Sequence, residues 1–168
     1  YWPQDRHPSN SKKLLLFWGL MVGGMVLLLV SKHATAFLLG WELMALSAFF
    51  LVTTEDNHLE SRKAGWIYLV STHLGSLSLL ALFSLWRWKS GSFALQPISE
   101  NTLSFAMMNT FFFLAILGFG LKAGIMPFHY WLPAAHATAP SHVSAILSGV
   151  VLKMGIYGLV RWLSLFPE

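Results

Sequence analysis

Two lysines and one glutamate stand where an apolar sequence has least use for charge. Lys122 and Lys153 lie inside FFFLAILGFGLKAGIMPFHYWLPAAHATAPSHVSAILSGVVLKMGIYGLVR, which runs from Phe111 to Arg161. At about 1.5 Å of rise per residue, Lys122 is about 16 Å past Phe111 and Lys153 about 15 Å past Val143. In a hydrocarbon layer about 30 Å thick, both depths are near the middle. An ammonium there costs several kcal/mol unless it is paired, hydrated or neutral, and a lysine without a task usually snorkels from a helix end. Glu42, in LLGWELMALSAFFLV, is about 12 Å into its own segment and bears the same cost. Opposite charges at one depth on neighbouring helices relieve each other, so Glu42 and Lys122 are expected to pair, directly or through one water. Such groups at mid-depth point to ion or proton movement; the plainer alternative is one buried structural ion pair.

His73 and His129 are further candidates for carrying protons. His73 is about nine residues into an apolar run; it either carries protons or bonds to a carbonyl or serine of its own bundle. Ser71, Ser76 and Ser78 either line a polar face or bond back to their own helix. His129 and His136 are seven residues apart, with no third ligand type nearby, so neither a metal site nor a bound cofactor is expected. The absence of cysteine excludes disulfides and Cys-ligated iron–sulfur clusters.

The elements that must place these groups are membrane helices. The chain has 168 residues, 55% hydrophobic and 11% charged, against about 25% charged in soluble domains. The fold class is therefore all-α and polytopic, in a cell (cytoplasmic or inner) membrane. The net charge of +4 is spread thinly, with no basic cluster longer than two residues. That suits lipid headgroups and argues against nucleic acid. Residues 1–13 read as a polar loop, and spans are expected at about 14–30, 34–52, 64–86, 104–139 and 142–166. Gly19, Gly23 and Gly24 suit close helix contact in the first span. Trp66 and Trp86 read as interfacial anchors of the third. The fourth span is expected to break between about Ala123 and Pro127. There Pro127 lacks an N–H and opposes the Ala123 carbonyl, and Gly124 eases the distortion. Five Lys or Arg on one side against four on the other place Tyr1–Lys13 on the cytoplasmic side. The chain reads as a piece of a longer polytopic protein.

GWELMALSAFFLV followed by LKAGIMPFHYWLPAAHATAPSHVSAILSGVVLKMGIYGLVR resembles the antiporter-like membrane subunits of respiratory complex I, Mrp-type cation/proton antiporters and membrane-bound hydrogenases. HATAPSHVSAILSGVVLKMGIYG looks most like the large membrane subunits of formate hydrogenlyase and hydrogenase-4 type complexes. The resemblance covers Leu14 to Arg161. It implies one of the family's two inverted five-helix repeats, with Glu42 pairing with Lys122 at the break and Lys153 passing protons onward. It also implies other membrane subunits and a peripheral redox arm as partners. The chain itself would be a non-catalytic, proton-conducting subunit of an oxidoreductase such as an NADH-quinone oxidoreductase or hydrogenase. The alternatives are an Mrp-type Na⁺/H⁺ antiporter subunit and a structural membrane anchor.

Overall fold

Five apolar segments each long enough to cross a bilayer follow one another in the computed structural model, which describes residues 11–54, 57–97 and 104–166. Helix α1 is Ser11–Val30, α2 Ala34–Val52 and α3 Leu59–Ser90. The fourth segment is α4, Phe105–Ala123, then a 3₁₀ turn Phe128–Trp131 and α5, Leu132–Thr138. The fifth is α6, Ser141–Ile146, a π-helical stretch Leu147–Val151 and α7, Leu152–Leu163. The only β pairing among the described residues is one isolated bridge, His33 to Ala94, where the strand-like Phe93–Leu95 backbone covers the turn between α1 and α2. Of the expected N-terminal polar loop, residues 1–10 lie outside the described residues, and Ser11–Lys13 already belong to α1.

Short links make neighbours antiparallel, and small residues set how closely they pack. A Cβ on Gly24 would stand 2.7 Å from Met44 N and 2.9 Å from Gly40 O; one on Gly40 would stand 2.8 Å from Gly24 O. The backbones of α1 and α2 therefore touch through Gly24 and Gly40. Gly19 and Gly23, expected to share in this contact, have nothing within 4 Å of an added Cβ. Gly24→Leu or Gly40→Leu is expected to destabilise the protein by at least the roughly 1–3 kcal/mol of overpacking, because the obstacle is backbone. Gly19→Leu should be close to neutral. Thermal unfolding in detergent of the three variants checks this.

Aromatic side chains fill the end of the bundle toward the α2 N-terminus. Phe37, Phe83, Trp86, Phe111, Phe119 and Trp162 meet edge to face or tilted, with Trp86 and Trp162 centroids 4.5 Å apart. Trp86 is thus a core residue and not the expected interfacial anchor, whereas Trp66 is 65% exposed. The reason is length: 32 residues make α3 about 48 Å long, so the helix runs on past Trp86 to Ser90 and leaves Trp86 packed against Phe111 and Trp162. It stops where Gly91, at φ 72°, adopts a left-handed cap. At the same end Arg161 donates to the Leu28 and Leu29 carbonyls, both at 3.2 Å, and to Ser31 O. These are the last carbonyls of α1 and its turn, which lack helical partners and carry the negative end of the helix dipole.

Candidate functional site

The fourth segment stops at mid-depth because of a glycine. Gly124 has φ +66° and caps α4 with its N–H on Gly120 O; Ile125 N also reaches Gly120 O at 3.1 Å. This is the left-handed ending that favours glycine. Pro127 comes four residues after Ala123, the last helical residue, and opens the 3₁₀ turn. The interruption lies where Gly124 and Pro127 placed it, but α4 has ended before any clash of Pro127 with Ala123 O could act. Trp131 returns to bond a freed carbonyl, Nε1 to Leu121 O at 2.8 Å, so irregular backbone at this depth is partly satisfied by protein.

Lys122 occupies the last turn of α4, beside the negative end of that helix. Its side chain is 1% exposed. Nζ donates to Tyr68 Oη at 2.8 Å and stands 5.0 Å from the Tyr68 ring centre. Tyr68 is fully buried, packs its ring on Trp131 at 5.1 Å, and directs its hydroxyl to Ala45 O at 3.4 Å. Ala45 is one turn beyond Glu42 on α2. Glu42 is half-buried on α2. Among the described residues it makes no direct hydrogen bond or ion pair, so the expected pairing is not present in its direct form, and Lys122's hydrogen-bond partner is a tyrosine.

Lys153 is placed differently. Gly155 presses on the end of α4: a Cβ there would be 2.6 Å from Ala123 N and 2.8 Å from Phe119 O. Two residues on a helix are about 200° apart, so Lys153 points away from α4 and Lys122. It is exposed, with no hydrogen bond or ion pair among the described residues. The π-helical stretch ends two residues before it; such stretches are frequent at functional sites.

The histidines do not join Lys122. His73 is exposed and holds its own helix, Nδ1 to Leu69 O at 3.0 Å. His129 is exposed in the 3₁₀ turn and makes no hydrogen bond among the described residues. His136 ties α5 to α6 through Ser144 Oγ at 2.6 Å. Ser71 and Ser78 bond back to Ile67 O and Leu74 O, and Ser71 also meets Tyr130 Oη at 2.9 Å. Sequence reasoning missed Tyr68. Its signal was a phenol within the apolar third span, where a buried hydroxyl must find a partner.

Residues 31–168 match the family described as "NADH:quinone oxidoreductase/Mrp antiporter, TM". The chain is 41% identical over 145 residues to hydrogenase-4 component B of Escherichia coli K12, covering 86% of this chain and 21% of that protein. It is 30% identical to formate hydrogenlyase subunit 3 of the same organism, covering 84% of this chain and 22% of that protein. It is 37% identical to NADH-ubiquinone oxidoreductase chain 4 of Rhipicephalus sanguineus, covering 88% and 33%. The chain thus spans between about a fifth and a third of these relatives. Two solved structures share the fold. A chain of the archaeal membrane-bound sulfane sulfur reductase superposes with TM-score 0.80 at 24% identity, covering 94% of this chain and 26% of that one. A chain of Thermus thermophilus respiratory complex I superposes with TM-score 0.75 at 22% identity, covering 88% and 33%.

Proposed function

The chain belongs to the NADH:quinone oxidoreductase/Mrp antiporter transmembrane family, and from that premise we propose that it is a proton-translocating unit of a complex I-like oxidoreductase. The hydrogenase-4 and formate hydrogenlyase kind is favoured by the relative at 41% identity. Redox chemistry in partner subunits drives it; this chain supplies the proton path. The observation that carries the reading is a buried lysine at a broken membrane helix, bonded to a tyrosine whose hydroxyl is directed to α2 one turn from Glu42.

Lys122 holds a proton in a site that water cannot enter freely. Burial disfavours its charge, and Glu42 and the end of α4 favour it. A change in the position or charge of Glu42 alters that balance, and Lys122 takes up or releases a proton. Lys153, on the outer face of α7, is the next carrier, toward the part of the subunit that lies beyond these five spans. His73 and His129 are further carriers at the approaches to this path; among the described residues neither bonds directly to either lysine.

The test is proton movement in proteoliposomes holding the complete complex. Protons are expected to move only during redox turnover, at the same rate without sodium. Exchange that requires Na⁺ and runs without turnover would replace this reading with the cation-antiporter one.

A further inference from the structure

Lys122 has a hydrogen-bond acceptor that is not its counter-ion. Its ammonium donates to Tyr68 Oη at 2.8 Å, while Glu42 makes no direct ion pair among the described residues. Tyr68 comes from α3, whose mid-span histidine, His73, is turned to its own helix at Leu69 O. Its ring is fixed from one side by Trp131, and its hydroxyl leans on Ala45 O, one turn from Glu42 on α2. Trp131 in turn holds Leu121 O, the carbonyl just before Lys122. Tyrosine, break and lysine are therefore one packed unit.

We propose that Tyr68 is the positioning residue that holds Lys122 while its ion pair with Glu42 is open. The inference rests on the proton-translocation reading and adds to it the group that stabilises the open state. A protonated lysine in an apolar site needs an acceptor at every moment. A carboxylate acceptor adds the attraction of a full opposite charge, which a neutral acceptor lacks, so a lysine held by Glu42 keeps its proton. A lysine held by a neutral phenol keeps its place with a weaker hold on the proton. The flexible four-carbon stem lets Nζ move between the two acceptors. Tyr68 does not carry the proton: its own O–H is directed to Ala45 O, and its oxygen receives the lysine N–H. When Lys122 discharges, the proton leaves Nζ for the next carrier, the amine becomes neutral, and Tyr68 is unchanged.

Tyr68→Phe removes the acceptor and keeps the ring that packs on Trp131. In the complete complex, reconstituted and counted per assembled complex, it is expected to lower protons moved per redox turnover by about tenfold, the scale of one lost bond to a charged group. Tyr68→His, which supplies a neutral nitrogen acceptor, should recover part of that loss. The double variant with Lys122→Met should be no worse than Lys122→Met alone, because Tyr68 acts through Lys122. Should Tyr68→Phe fail to assemble, Tyr68→His against Tyr68→Leu carries the same comparison. Wild-type coupling in Tyr68→Phe, with coupling lost in Lys122→Met, would overturn this inference and leave the proton-translocation reading standing. So would equal loss in Tyr68→His and Tyr68→Phe, since that marks a packing role. Wild-type coupling in Lys122→Met would instead remove the reading beneath it.

Discussion

Lys153→Met is expected to abolish proton movement in the assembled complex or reduce it to a small residue, while Lys153→His retains part of it. The expectation follows from where the side chain stands. It is near the middle of the fifth span, on the face turned away from α4, and none of the described residues neutralises it. Methionine fills similar space and would suit an apolar surface better than an ammonium, so a structural role would make the exchange harmless or stabilising. Imidazole still carries a proton at the same depth. The measurement is the proton-to-turnover ratio of both variants against wild type. A wild-type ratio in Lys153→Met would make Lys153 structural and send the path elsewhere.

The spans were legible because charged and turn residues separate long apolar runs, and the break because Gly124 and Pro127 closely follow an intramembrane lysine. Faces were not legible. Helices α1 to α4 have no distinct polar side to mark which residues look inward. That is why Trp86 reads as an anchor yet lies in the core, and why Lys122 and Lys153 read alike although one is sealed and the other exposed. The usable signal was in small residues: Gly155 and Gly158 mark the face of α7 that meets α4, and Lys153 lies opposite. Tyr68 was hidden for another reason. Its partner is 54 residues away, and only the packing of α3 on α4 brings them together. Charge pairing by depth named Glu42 for Lys122 because it weighed charged groups and left out a neutral hydroxyl.

Lys122→Met has the largest expected effect, because it removes the buried charge that sits at the break and is held by Tyr68. The apolar side chain should fit the buried site, since it removes a costly buried ammonium and, among the described residues, breaks no direct ion pair with Glu42. Assembly is therefore expected to survive, and redox turnover in the partner subunits can still be measured. The decisive measurement is the number of protons moved per redox turnover by the complete complex in sealed proteoliposomes, with wild type and Lys122→Met side by side. Turnover with no proton movement above the leak is the predicted result. A Lys122→Met complex that moves as many protons per turnover as wild type would contradict the account.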